Sequence, residues 1–187
     1  MTKATGPGFR VHFRRRRKGL TDNGTRLSLL RSDLHRLVVR KTNRHIIVHV
    51  AKFGAKGDVT LCHATSAALA RFGFAGKCNA PSAYLTGFLV GKMAVAKKVA
   101  SEVVLDVGLH SSTQGSIVFC ALKGAIDAGL KAPLDEEKLP PAERIRGEHL
   151  KAADDFEKAK KAIGAAKAGD LGPQGKSLKE SGKVERK

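Results

Sequence analysis

The fold is decided by residues 37–50, which read LVVRKTNRHIIVHV. Two runs rich in β-branched residues, 37–39 and 46–50, flank the polar tetrapeptide KTNR, a pattern typical of two antiparallel strands joined as a hairpin. The turn-forming stretch GAKGD at 54–58 then leads into a third apolar run at 59–62. These residues therefore predict a three-stranded antiparallel meander.

The alternation of side chains along a strand predicts which face of the meander is core. In the second strand Ile46, Val48 and Val50 share one face and are predicted to be buried. The opposite face carries polar side chains that are predicted to be exposed: Arg40, His45 and His49. An antiparallel sheet of this kind can bury one face and leave the other to a partner.

Residues 79–100 change to the apolar spacing of a helix. Asn79 is predicted to cap this helix, with Pro81 in its first turn. The large and small apolar residues that recur at spacings of three and four are Leu85, Phe88, Leu89, Met93, Ala96 and Ala100. Gly87 and Gly91 lie four residues apart and would let another backbone approach the helix closely.

Residues 102–109, EVVLDVGL, form an almost continuous apolar run, which predicts a central strand covered on both faces. The loop 111–115 leads into a second helix, predicted at 116–129 and rich in small residues. The order β-β-β-α-β-α predicts a mixed sheet with helices, in the α/β or α+β class.

The composition changes again at Pro133. A charged stretch at 143–163 predicts a helix docked on the body by a narrow apolar stripe of Ile145, Leu150, Phe156 and Ile163. Residues 164–187 hold almost no large apolar side chains and are predicted to be a flexible basic tail. The predicted divisions are an N-terminal arm with a short helix (1–33), a mixed α/β body (34–132), a helical extension (133–163) and the tail (164–187).

The charge of the chain indicates a polyanionic partner. The 187 residues include 35 Lys and Arg against 17 Asp and Glu, a formal charge of +18. Residues 1–45 hold 13 basic and 2 acidic side chains, whereas residues 133–187 hold 13 and 11. The excess lies at the N-terminal end, where it favours nucleic-acid binding.

Composition also argues against several classes of protein. No apolar stretch reaches the roughly 18 to 20 residues of a membrane span, and no apolar segment of a signal peptide follows the N-terminal charge. Cys62, Cys78 and Cys120 form an odd set without CxxC spacing, which argues against a disulfide framework or a zinc ribbon. We expect them to be packing residues in a reducing, intracellular compartment.

The densest cationic segment is RRRRK at 14–18. Adjacent cations repel one another, so we predict an arm that is mobile until it meets phosphate, whose oxygens match the guanidinium fork. A short helix packed on the body is predicted next, with Thr25 as its cap and Leu27, Leu29, Leu30 and Leu34 as its apolar residues. The alternative interpretation of the arm is a nuclear-localisation-like address or a solvated run of charge.

Catalytic patterns are weak. Asp58, Asp106 and Asp127 could form a carboxylate cluster holding Mg²⁺ in an RNA-processing enzyme. The favoured interpretation gives all three a structural role: Asp58 in a turn, Asp106 as an acceptor for the following loop, and Asp127 on a helix surface.

Ligand-binding motifs are equally sparse. His45 and His49 could be metal ligands, but no Cys or carboxylate completes the set at a useful spacing. The loop 108–115 lacks both the Walker ending and the GxGxxG spacing. That loop could still bind a phosphate at the N-terminus of the following helix.

Five segments in one order resemble a known family. They are GP at 6–7 with RRRR at 14–17, RLVVRKTNRHI at 36–46, NAPSAYLTG at 79–87, LDVGL at 105–109 and GAIDAGL at 124–130, with a further match in RIRGEHL at 144–150. Over about residues 6–150 the chain resembles the large-subunit ribosomal protein eighteen family in its archaeal form, which is related to the eukaryotic 5S rRNA-binding large-subunit protein five.

The resemblance implies a non-enzymatic constituent of the large ribosomal subunit, located in the cytoplasm. Such a protein would bind 5S rRNA and mediate its attachment to 23S rRNA in the central protuberance, beside neighbouring ribosomal proteins. It would have the translational-machinery-component fold and need no cofactor, small-molecule substrate or membrane. The alternative is a Mg²⁺-dependent RNA-processing enzyme that uses Asp106.

The resemblance also implies which residues contact RNA. They lie on the arm and the hairpin: Arg10, Arg14, Arg15, Arg16, Arg17, Lys18, Arg26, Arg40, Lys41, Asn43, Arg44 and His45. The segments around Tyr84, Asp106 and Asp127 look structural in that family. Where archaeal relatives usually have an aromatic residue after Thr-Asp, this chain has Asn23, so base stacking at that point is not carried over.

Overall fold

A computed structural model describes residues 6–98 and 101–166. The three-stranded meander forms as residues 37–62 predict. Its strands are β1 (His35–Lys41), β2 (Ile46–Lys52) and β3 (Val59–Thr65), each antiparallel to the next. Along β2 the residues Ile46, Val48 and Val50 are buried, which confirms the predicted core face. The mixed α/β class is confirmed as well.

A fourth strand, β4 (Val103–Asp106), completes the sheet by pairing parallel to β1, in the order β3-β2-β1-β4. The prediction that this apolar run is a central strand is wrong, because β4 lies at an edge of the sheet. Its apolar character reflects burial of Val103 in the hydrophobic core, and burial does not specify a strand's position in the order.

Two helices cover the core face of the sheet. Asn79 caps α3 (Ala80–Ala96) as predicted, and its Oδ1 accepts a hydrogen bond from the Ser82 N–H at 3.0 Å. The second helix, α4 (Ile117–Asp127), is shorter at both ends than predicted. Ala100, which was expected to continue α3, lies outside the described residues.

Helix α3 is buried on nearly every side because the sheet, α4 and the C-terminal helices all contact it. Gly87 lies against the carbonyl of Ala121, and Gly124 of α4 lies against the carbonyl of Tyr84, so a Cβ at either glycine would overlap the opposing backbone. The predicted close approach of another backbone to α3 is therefore confirmed at Gly87.

The N-terminal segment crosses the outer face of the sheet. Residues 14–18, predicted as an irregular arm, include one exposed helical turn, α1 (Arg14–Arg17). The following helix, α2 (Asn23–Leu30), is capped by Asp22, whose Oδ1 accepts the N–H of Thr25 at 3.1 Å. The prediction of Thr25 as the cap is wrong, since Thr25 lies in the first turn and its hydroxyl donates to Asp22 at 2.6 Å. Leu34 lies beyond the helix.

The C-terminal extension is not the single helix predicted at 143–163. After a 3₁₀ turn, Glu136–Lys138, it contains α5 (Ala142–Arg146), another 3₁₀ turn (Glu148–Leu150) and α6 (Ala153–Ala165). Gly147 ends α5 at φ 81°, in the left-handed region that favours glycine. A second left-handed residue, Lys151 at φ 52°, follows before α6.

The apolar stripe of the extension is confirmed at every position except Leu150. Ile145 is half-buried against the core. Phe156 and Ile163 are buried, whereas Leu150 is 46% exposed because the chain turns there. The rings of Phe156 and Tyr84 lie 5.4 Å apart and join α6 to α3. The predicted tail begins within α6, and from residue 167 it lies outside the described part of the chain.

Candidate nucleic-acid interface

The arm presents cations that no carboxylate of the described chain neutralises. Residues 14–18 are all exposed, and none of their side chains forms an ion pair among the residues the structure describes. Arg15 is held in place, since its Nε donates a hydrogen bond to the Thr21 hydroxyl at 2.8 Å. Arg10 is likewise exposed. The guanidinium groups that lack an ion pair can donate hydrogen bonds to phosphate oxygens.

The hairpin turn between β1 and β2 presents a second polar group of side chains. Lys41, Asn43 and Arg44 are exposed, and the turn is closed by Thr42, whose N–H donates to the His45 carbonyl at 2.9 Å. The His45 ring is half-buried, with Nδ1 at 3.2 Å from the Ser66 hydroxyl. His45 therefore packs on the body, while the other three side chains point to solvent.

A network of ion pairs, missed by the sequence analysis, lies on the outer face of the sheet. The buried Arg36 guanidinium donates to Asp106 at 2.9 Å and to Asp58 at 2.6 Å. Asp106 also accepts from Arg40 at 2.8 Å, and Asp58 accepts from Arg26 of α2 at 2.8 Å. The network thereby links β1, β4, the β2–β3 turn and α2.

Asp106 is held as an anion by this network. Burial by itself raises the pKa of its carboxyl group, but the hydrogen bonds and charges of Arg40 and Arg36 outweigh burial, so the net shift of the pKa is downward. Its Oδ1 also accepts the N–H of Gly108 at 3.0 Å, which confirms the prediction that Asp106 binds the following loop.

The other two acidic residues considered for catalysis also have structural partners. Asp58 lies in the turn before β3, as predicted, with two arginines as partners. Asp127, at the end of α4, accepts the Tyr84 hydroxyl at 2.7 Å and pairs with Lys123. Across residues 6–98 and 101–166, no group of three His, Cys, Asp or Glu side chains is placed to hold a metal ion.

A cleft of about 490 Å³ lies between the N-terminal segment and the outer face of the sheet. Three of the predicted RNA-contacting residues line it: Arg15, Arg26 and Arg40. The outer face was predicted to be an exposed polar surface, but Val38 and Ala51 on this face are buried. That prediction is wrong in part because the N-terminal segment, tied to the sheet by the Arg26–Asp58 ion pair, lies across the cleft from these residues.

The histidines at the cleft have pKa values that favour the neutral form. The pKa of His49 is lowered by burial first and by the charge of Arg40 second. Burial and the charge of Lys41 lower the pKa of His110, whose Nε2 accepts the Lys41 N–H at 3.2 Å. The lasting positive charge of the cleft therefore comes from its arginines.

The structure brings some predicted residues together and separates others. The cleft joins the arm to β1, whereas Lys41, Asn43 and Arg44 project from the hairpin tip and do not line the cleft. Parity along β1 indicates that Arg36 and Arg40 share a face, and this signal was available. Their partner Asp106 was not predictable, because it depends on the parallel register that places Val38 beside Asp106.

All three cysteines of the chain are free thiols. Cys62 and Cys120 are buried free thiols whose pKa values are raised by burial, and Cys78 is a half-buried free thiol. Both buried cysteines agree with the packing role predicted for them. In the described residues no helix has the length and apolar character needed to cross a membrane.

Comparisons with known proteins agree on one family. A family model described as ribosomal large subunit proteins 60S L5 and 50S L18 matches residues 8–104 and 96–135. A large ribosomal subunit protein uL18 from Methanoregula boonei is 49% identical over 151 residues, covering 80% of this chain and 86% of the relative. Another protein of that name, from Methanobrevibacter smithii, is 48% identical over 162 residues, covering 84% and 83%.

Proposed function

The chain belongs to the family of ribosomal large subunit proteins 60S L5 and 50S L18, and from this premise we propose that it binds 5S rRNA and attaches it to 23S rRNA in the central protuberance. Membership of this family makes the chain a ribosomal protein of the large subunit with a structural role. The two RNA partners, the neighbouring ribosomal proteins and a place in the cytoplasmic ribosome are part of the proposal.

The observation that carries the proposal is the unneutralised charge of the arm. Residues 14–18 are exposed and form no ion pair within the described chain, whereas Arg26 of α2 and Arg36 and Arg40 of the body are paired with carboxylates. Cations that lack protein partners gain most from phosphate, because each contact releases counterions from the RNA. We therefore assign the main electrostatic contacts to Arg10 and residues 14–18.

The hairpin supplies a second, more rigid contact surface. Lys41, Asn43 and Arg44 project from a turn whose ends are fixed by β1 and β2, so little conformational freedom is lost when they bind. His45 contributes from the edge of this surface. Such a surface suits recognition of RNA shape and 2′-hydroxyl groups better than reading of base sequence.

Arg26 and Arg40 have a double role in the proposal. Each is fixed by an ion pair, to Asp58 and Asp106 respectively, yet each side chain remains 37% exposed. A guanidinium group has five N–H donors, so one edge can bind the carboxylate while another binds phosphate. The ion pairs would then orient these two arginines before RNA arrives.

The proposed divisions of the chain follow the same logic. We propose that the arm within residues 1–33 becomes ordered when it binds RNA. The body at 34–132 holds the hairpin residues in a rigid position, and the extension at 133–163 supports α3. The division of residues 164–187 as a flexible basic tail stays a prediction.

Binding of purified RNAs to the full-length protein tests the proposal. We expect tighter binding to 5S rRNA than to tRNA at about 0.15 M salt, with an affinity that falls steeply as salt increases. Equal affinity for the two RNAs would reduce the protein to a nonspecific polycation and refute the assignment of 5S rRNA.

Attachment to 23S rRNA needs a separate experiment. Reconstitution of large subunits with and without the protein, followed by sedimentation, should show that 5S rRNA joins the particle only when the protein is present. Hydroxyl-radical footprints should appear on both RNAs in the complete particle. Incorporation of 5S rRNA without the protein would contradict the attachment role.

A further inference from the structure

An aromatic side chain stands exposed at the start of the cationic turn. Phe13 is 91% exposed, the highest exposure of any large hydrophobic residue in the described chain. The next most exposed phenylalanine, Phe53, is at 53%. No other aromatic ring or cation of the described residues contacts the Phe13 ring.

The backbone at Phe13 is fixed although its ring is free. Phe13 is the N-cap of α1, with φ −53° and ψ 149°, and its carbonyl accepts the N–H of Arg17 at 3.0 Å. The ring is thereby attached to the same helical turn that carries Arg14, Arg16 and Arg17. Any polyanion bound by these arginines lies within reach of the ring.

The surrounding charge decides which partner suits the ring. Burial in an apolar pocket of another protein would also remove water from several adjacent guanidinium groups, which is unfavourable without anionic partners. An RNA strand offers an anionic partner for the arginines and an apolar partner for the ring, because its phosphates pair with the cations and an unpaired base presents an apolar π-face.

We propose that Phe13 stacks on an unpaired nucleobase of the RNA strand that the arm binds. The inference rests on the proposed function, since it deepens the RNA contact of the arm from charge alone to charge plus stacking. Stacking tolerates any base, so Phe13 selects unpaired over paired RNA and does not select a sequence.

Variants of the full-length protein test the stacking contact. Phe13→Ala and Phe13→Leu should each weaken binding to 5S rRNA by about tenfold, because neither retains a π-face, while Phe13→Tyr should bind like the parent protein. The salt dependence should be unchanged in all three variants, because no charge is removed. Leu150→Ala removes another exposed apolar side chain, on the C-terminal extension, and should leave the affinity unchanged.

Two further RNAs separate this inference from the proposed function. Single-stranded polyadenylate, whose bases are unpaired, should show the same loss with Phe13→Ala, and a fully paired RNA duplex should show none. If the parent protein fails to prefer 5S rRNA over tRNA while the loss on polyadenylate persists, the proposed function falls and the stacking contact stands.

Three results would overturn the stacking contact. They are equal affinity of Phe13→Ala and the parent protein for polyadenylate, full binding by Phe13→Leu, and an equal loss on duplex RNA. The first is also the result expected if Phe13 instead docks on a neighbouring protein. Thermal unfolding of each variant should match the parent protein, because the exposed ring contributes no core packing.

Discussion

At the scale of single residues, each of the two buried charges of the outer face, Arg36 and Asp106, has two partners of opposite charge. Asp106 bonds to two arginines, and Arg36 bonds to two aspartates, so no charge in this cluster is buried without a partner. Removal of water from a charge is costly, and only close opposite charges with good hydrogen bonds offset that cost. Asp106 therefore acts as a structural anion that joins β4 to β1 at their register.

Replacing Asp106 tests this structural role. Asp106→Asn should lower the free energy of unfolding by about 3 kcal/mol at pH 7, because the buried Arg36 loses one of its two anionic partners. Chemical denaturation measures the change. The matched control is Asp155→Asn, which breaks an exposed pair with Lys158 at 3.8 Å and should cost under about 0.5 kcal/mol.

The difference in stability between the parent protein and Asp106→Asn should depend on pH. Because the pKa of Asp106 in the folded state lies below the ordinary 3.8, the carboxylate stabilises the fold above that pH. The stabilisation should disappear as pH falls below 3.8 toward the lowered pKa, and the difference between parent and Asp106→Asn should shrink there. A constant difference from pH 7 to acid would contradict the ionic role.

The enzymatic alternative has a test of its own. If the parent protein cleaved 5S rRNA in the presence of Mg²⁺ and Asp106→Asn did not, the enzymatic alternative would be revived.

At the scale of elements, the contact between α3 and α4 sets the thickness of the core layer. Gly87 and Gly124 have no side chain at the point where the two backbones meet, and each faces a carbonyl of the other helix. The close approach lets α3 contact the sheet, α4, α5 and α6 together.

Adding a methyl group at this contact should destabilise the protein. Gly87→Ala places Cβ against the Ala121 carbonyl, so we expect a loss of about 3 kcal/mol in the free energy of unfolding, at the upper end for overpacking. Gly164→Ala is the control, since Gly164 lies in α6 with open space around it. Alanine there should gain about 0.5 kcal/mol through helix propensity. A neutral Gly87→Ala variant would show that the helices can separate without cost.

At the scale of the whole molecule, position matters more than the total charge of +18. Residues 133–187 hold 13 basic and 11 acidic side chains, whereas residues 1–45 hold 13 and 2. The proposed RNA contacts lie at three places: the arm, the cleft and the hairpin tip, which projects beyond the cleft. Removal of positive charge from these RNA contacts should weaken RNA binding more than removal of the same charge elsewhere on the protein.

Two triple variants of equal net charge test this asymmetry. Replacing Arg14, Arg16 and Arg17 by Gln should weaken 5S rRNA binding and reduce the slope of log K against log salt by about 2 to 3. Replacing Lys151, Lys158 and Lys161 by Gln is the control, and its slope should stay close to that of the parent protein. Equal slopes for both triple variants would show that the arm is not on phosphate.

Much of the fold was predictable because local patterns report local structure. The β-branched runs flanking KTNR specified the hairpin, and Asn79 followed by Pro81 specified the start of α3. The single helix predicted at 143–163 failed because Gly147 and Lys151 turn the chain into left-handed backbone within a stretch of good helix formers. The central position predicted for β4 failed because an apolar run reports burial and not strand order.

The sequence by itself determined the strands of the meander, the cap of α3 and the concentration of cations in the arm, all of which depend on residues close together in the chain. Only the tertiary structure decided that β4 lies parallel to β1 at the sheet edge, and with it the pairing of Arg36 and Arg40 with Asp106. Those partners are 70 and 66 residues apart, and they meet because register and helix packing are fixed by the whole core at once.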